Sequence, residues 1–181
     1  MSITYAVNSC FVKTPPFIEI DDKNYSIVKI DSLYWTVQPL SSTKTGLNYT
    51  EPDQYGLLNY RMDSVISTIV PDLPQGWRVP SVNDLLALFG HTIDGSLING
   101  QKSLLASGEN YWFGLGTNLT GLNLQPNYVD RETAKVFAQP SNNGIDTPGL
   151  FVHPDGNIFS SSNVQSGAWY YYYPVRFCRD V

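Results

Sequence analysis

The stretch from Pro74 to Gly90, PQGWRVPSVNDLLALFG, constrains the fold of this chain more than any other. Pro74-Gln75-Gly76 is a turn signal whose glycine is free to take positive φ. Trp77-Arg78-Val79 then runs extended, because a residue ahead of proline avoids the α region. Ser81 offers a helix N-cap, and Asp84, three residues on, stands where a capping-box partner belongs. Leu85, Leu88 and Phe89 share one helical face, with Leu86 beside them, and Gly90 is placed as the C′ residue. A helix of about two turns does not stand unpacked, so Trp77 is expected to help hold it down. The segment reads as core; it specifies a scaffold and carries no chemistry.

The flanking sequence organises around that scaffold. Residues 1–24 read as an N-terminal arm, broken by Thr14-Pro15-Pro16 and closed by the turn cluster Asp21-Asp22-Lys23-Asn24. Tyr25 to Ile30 and Leu33 to Val37 read as a hairpin about Asp31-Ser32. Residues 41–54 are loop-like, Tyr55 to Tyr60 is a short extended piece, and residues 61–70 carry the pattern of a short helix. A second short helix is expected within 96–107, interrupted by Gly100. From Tyr111-Trp112-Phe113-Gly114-Leu115 the chain becomes β-rich. Leu122 to Gln125 is expected as a strand, and residues 138–149 as a loop. Leu150-Phe151-Val152 and Asn157-Ile158-Phe159 flank the turn His153 to Gly156, and Ala168 to Cys178 is aromatic and extended. The order predicts an α+β domain over 25–181: a mainly antiparallel sheet, two short helices and long loops.

Charge narrows the function. A net charge of −5 argues against nucleic acid, which needs a basic patch, and against an anionic membrane surface. No apolar run approaches the ~20 residues of a membrane span, and Met1 to Tyr5 lacks a signal-peptide n-region. The expectation is a chain made in the cytoplasm. Cys10 and Cys178 are too far apart in sequence for a metal knuckle, and leave two readings open, a bridge between the chain ends or two buried thiols. His91 and His153 sit in different turns with no nucleophile motif near either. No enzyme activity and no cofactor are expected.

Several motifs fall in a known order. Val28-Lys29-Ile30-Asp31-Ser32-Leu33-Tyr34-Trp35 with Leu40, Tyr55 to Tyr60, Pro74 to Ser81, Thr120 to Pro126 and Val175-Arg176-Phe177-Cys178-Arg179-Asp180 resemble motifs of the Fibrobacter succinogenes major paralogous domain family. The resemblance covers roughly residues 25–181, and its GWxVP and terminal VRxxRD elements are its most specific parts. It implies a C-type-lectin-like fold, with both termini on one sheet, two helices packed on it and a long loop region carrying the ligand site. Phe113-Gly114-Leu115 after Trp112 resembles that fold's WIGL strand. The departures matter as well. Where the family often has a cysteine before the PxGW proline this chain has Leu73, and Phe177 stands at the family's terminal cysteine, with Cys178 one residue later. One residue along a strand reverses the face, so the family's usual disulfide cannot form here. An exported surface protein would be expected to keep it, and its loss fits a product that matures in the cytoplasm, such as a phage virion protein.

The resemblance also frames the site. True C-type lectins bind sugar through calcium with Glu-Pro-Asn or Gln-Pro-Asp and a later Trp-Asn-Asp. Glu51-Pro52-Asp53 and Gln125-Pro126-Asn127 have no such partner, so no metal is expected. Sulfatase-activating enzymes share the architecture but need a reactive cysteine pair that this chain does not offer. The binding candidate is the run Trp169-Tyr170-Tyr171-Tyr172-Tyr173, whose two rows alternate along a strand and leave two readings open: one row core and the other a surface of rigid rings, or both rows buried, one in the core and one under a loop or subunit. Trp169, Tyr170 and Tyr172, with Ser161 and Asn163 of the adjoining polar loop, are the expected ligand contacts. The function expected is a non-enzymatic phage virion component (head decoration, fibre or tail tip) displaying a lectin-like domain for host attachment. Its partners would be other virion proteins or sister subunits in a homo-oligomer, docked through the arm, and a host surface glycan or protein. The alternative is a bacterial cell-surface or pilus-tip adhesin.

Overall fold

The computed structural model describes residues 16–52, 56–93, 95–107, 116–125, 134–137, 149–152, 158–161, 172 and 174–181. Its frame is a four-stranded antiparallel sheet in the order β1-β2-β3-β7, formed by Phe17–Ile20, Lys23–Ile30, Leu33–Thr36 and Cys178–Asp180. The hairpin expected about Asp31-Ser32 is β2–β3, with Ile30 opposite Leu33 and Val28 opposite Trp35. Asp31 takes φ 51° at its turn, a conformation short polar side chains tolerate. The arm predicted over 1–24 does not extend that far as a separate segment. Phe17–Ile20 is a sheet strand, tied to β2 by a turn in which Asp21 and Asp22 both take positive φ. Two positive φ values in a two-residue loop match the strand twist, which makes Asp21-Asp22 a hairpin turn.

Both faces of the sheet are covered, and the strands serve them alternately. Val28, Ile30, Leu33, Trp35 and Cys178 enter one cluster; Tyr25, Ile27, Tyr34 and Phe177 enter the other. The first cluster is closed by α2 (Val82–Phe89) and α3 (Leu97–Leu104). The second is closed by α1 (Met62–Thr68), which buries Met62 and Val65 and is followed by one 3₁₀ turn at Val70–Asp72. The described α-helices therefore number three, the short helix patterned over 61–70 joining the two named in the expected architecture. Residues 61–70 fold as a helix because Met62, Val65 and Ile69 recur on one face and have a sheet to pack on. Alternation also explains the terminal motif. Phe177 lies with Leu73 in the α1 cluster, whereas Cys178 is a free, fully buried thiol in the other. Cys10 lies outside the described residues.

The turn and helix from Pro74 to Gly90 are close to the expectation, with two corrections. Gly76 takes φ +84°, Ser81 Oγ accepts from the Asp84 N–H, and the Asp84 carboxylate accepts from the Ser81 N–H, a complete capping box. Trp77, however, does not hold α2 down. It is buried with α1, and the link from this segment to α2 is the charged pair of Arg78 with Asp84. Gly90 is not left-handed: it caps α2 at φ −78°, its N–H bonding Leu86. An added Cβ there would come within 3.1 Å of the Leu86 carbonyl, so a small residue suits the close turn.

Elsewhere the chain departs from its local signals where tertiary contacts override them. Gly100 does not interrupt α3. A Cβ on it would lie 1.9 Å from the His91 carbonyl oxygen, so glycine lets the 91–92 backbone cross the helix. Leu122 to Gln125 forms a single parallel bridge, Leu105 to Leu124, instead of a strand, because Asn123 turns left-handed at φ 56°. β4 (Ala134–Phe137), β5 (Gly149–Val152) and β6 (Ile158–Ser161) form a separate three-stranded antiparallel sheet, with β5–β6 the hairpin expected there. The expected strand at 111–115 and most of the loop over 138–149 lie outside the described residues.

Candidate functional site

The terminal run Val175 to Asp180 organises the centre of the molecule, and each of its polar side chains has a task. Arg78 exchanges both backbone hydrogen bonds with Cys178 at 2.9 Å and donates to Asp180 at 3.1 Å. The same guanidinium binds Asp84 at the start of α2, so one cation joins β7, the GWRVP segment and the helix cap. Burial pushes the Asp84 carboxyl up, but hydrogen bonds from Arg78 and Ser81 outweigh it and hold the group below the usual carboxylate range. Arg179 lies over the rings of Tyr34 and Trp77, 5.2 and 5.5 Å from their centroids. The Cys178 thiol beside this network is pushed up to about 12 by burial, which makes it inert as a nucleophile at neutral pH.

Arg176 is different. Its neighbours are fixed by the sheet: the Leu40 N–H bonds Val175 O at 2.7 Å and the Thr36 N–H bonds Phe177 O at 3.0 Å. Val175 and Phe177 go into the core, and Arg176 sits 7% exposed. It donates Nη1 to Thr36 O at 3.0 Å and Nη2 to Asn123 O at 3.3 Å. The left-handed turn at Asn123, braced by its N–H on Asn118 Oδ1 at 2.8 Å, belongs to the same corner. Among the described residues no carboxylate pairs with Arg176. Burial pulls its pKa down to about 9, which leaves the group charged at neutral pH.

Arg176 lines a half-open cavity of about 300 Å³. The other walls are the 37–41 segment after β3, residues 56–58, Asn123 and Gln125. Gln125 Oε1 is buried and has no hydrogen-bond partner among the described residues. The cavity is thus lined by a buried cation, by Gln125 and by the apolar side chains Leu40, Leu57 and Leu58.

Of the residues predicted to contact ligand, Tyr172 is described and is 39% exposed. Ser161 ends β6. Trp169, Tyr170 and Asn163 lie outside the described residues. Among the described residues there is no cluster of three or more His, Cys, Asp or Glu side chains that could hold a metal, and no helix long and apolar enough to cross a membrane. The Arg176 cavity was missed in sequence. Gln125 was read as a strand end and within family-like and calcium-type motifs, and Arg176 as part of a signature; the one available signal is an arginine between two core residues in a chain only 15% charged.

The frame and site together define a mixed α+β protein built on a curled antiparallel sheet. Compared with known proteins, the chain matches no family model, no curated protein and no solved structure.

Proposed function

We propose that this chain is a non-enzymatic binding domain of C-type-lectin-like architecture, carried on a phage particle as a head-decoration, fibre or tail-tip component and serving host attachment. The observation that supports it is the topology. The chain leaves the sheet after Thr36 and returns at Cys178, on the strand beside the one it left. Everything between is a long excursion pinned at both ends to one platform, which is how a rigid scaffold presents loops for recognition. Leu73 and Phe177, apolar members of the α1 cluster at the positions where relatives of the resembled family would place a disulfide, suit a product that folds without oxidation. Many copies per particle would convert weak single contacts into firm attachment.

Antibody labelling of purified particles and of bacterial envelopes tests the location. The proposal expects label on particles, and capsid and portal genes beside this one. Label confined to the envelope would overturn it in favour of a surface adhesin.

A further inference from the structure

We propose that the cavity beside Arg176 binds a small organic monocarboxylate with a compact apolar body, its carboxylate on the guanidinium and its body against the aliphatic wall. The inference goes beyond the attachment reading and does not depend on where the domain is displayed.

Charge comes first. Arg61, Arg78, Arg176 and Arg179 are the described arginines, and Arg176 is the most buried of them, at 7% exposure. The other three each have a charged or aromatic partner: Asp63 for Arg61, Asp84 and Asp180 for Arg78, the rings of Tyr34 and Trp77 for Arg179. Arg176 has two neutral carbonyls, Thr36 O and Asn123 O, and no carboxylate among the described residues. A buried cation without a counter-charge is costly to keep. If Arg176 only tied Thr36 to Asn123, an uncharged donor would serve at a lower cost. A guanidinium carries five N–H donors in a planar fork. Two are spent on those carbonyls, which leaves three. The fork matches the two oxygens of a carboxylate.

The surroundings decide which anion. Arg176 stands in the wall of the half-open cavity, and among the described residues no second cation lines it. Val37, Pro39, Leu57 and Leu58 line it too, each half-buried and so with surface left to offer a ligand. One positive charge neutralises a monoanion. A phosphate or sulfate dianion would bring a second charge into an aliphatic site with nothing to meet it. A neutral apolar molecule would leave the guanidinium as it was. A carboxylate on an apolar body answers both the fork and the wall. At about 300 Å³ the cavity stands at the lower end of small-molecule sites, room for one ring or a short branched chain.

Calorimetry on the full chain at low ionic strength, with benzoate, benzamide, acetate and phosphate as probes, tests the site. Benzamide keeps the ring and loses the charge. Acetate keeps the carboxylate and loses the ring. Phosphate is an anion without an apolar body. A charge-assisted contact and a buried ring each carry enough free energy for about a ten-fold effect, so benzoate should bind about ten-fold or more tighter than any of the other three. No heat from benzoate, or benzamide, acetate or phosphate binding as tightly as benzoate, overturns the proposal. Two variants place the ligand. Arg176→Lys keeps a charge but loses the fork, and should weaken benzoate about ten-fold or more. Leu58→Glu leaves the arginine in place and sets a carboxylate in the cavity wall. It should weaken benzoate about ten-fold or more beyond Leu58→Gln, its uncharged counterpart. Benzoate binding by Arg176→Lys at wild-type strength, or equal loss in the two Leu58 variants, overturns the assignment to this cavity. The four probes on the wild-type chain decide the case if a variant does not fold.

Discussion

Single residues in this chain answer for contacts far away in sequence. Gly76 is the clearest. Its φ of +84° disfavours any L side chain, and an added Cβ would come within 3.3 Å of the Arg179 stem, which lies over Trp77. Gly76→Ala should therefore cost about 1–2 kcal/mol from backbone strain alone, with a further loss if Arg179 shifts off the ring; urea unfolding with an unchanged m-value would measure it. Half of that is visible in the sequence. Pro-x-Gly before an extended Trp-x-Val-Pro announces a turn that needs glycine, but nothing local says that an arginine from the far end of the chain fills the space above it. Arg176 and Gln125 show the same limit more sharply. Each is an ordinary polar residue by type, and only the path of the chain puts them on one cavity.

Among the elements, the best specified is α2, and its N-terminus is also a charged junction. Ser81, Asp84 and Arg78 form one unit; Asp84→Asn keeps one acceptor oxygen for the Ser81 N–H but removes the charged link to Arg78, at about 1–3 kcal/mol. The pH dependence has a definite sign. The Asp84 carboxyl is held below its unfolded value, so its contribution is present above that value and lost as pH falls through the folded one. The stability gap between wild type and Asp84→Asn should accordingly narrow below about pH 4, and denaturant melts from pH 7 downward would show it; a gap that stays constant through the acid range would contradict the assignment. The capping box, the β2–β3 hairpin and the β5–β6 hairpin were all readable because their signals are local. β1 was not: its Asp-Asp turn lacks the glycine that usually marks such a loop, and two prolines upstream made the segment look like an arm. The assignment of Trp77 to α2 failed for a different reason. Proximity in sequence suggested the contact, while alternation along the extended segment sent the ring to the opposite layer.

For the whole molecule, the account rests on a sheet that is sealed on both faces and holds both ends of a long excursion. On the proposed attachment reading, the tyrosine run is the contact expected from the sequence, and the Arg176 cavity is a further candidate among the described residues. The first was read from composition, as flat rings in an aromatic-rich chain; the second needed the fold. The most direct test is a glycan array, probed with the purified wild-type chain and with the Tyr170→Ala/Tyr172→Ala double variant. The account predicts binding to a restricted set of glycans by the wild type, and loss of at least ten-fold in signal for the variant with an unchanged melting temperature. Binding by the variant at wild-type strength, or no glycan or host-cell binding by the wild type, would contradict it.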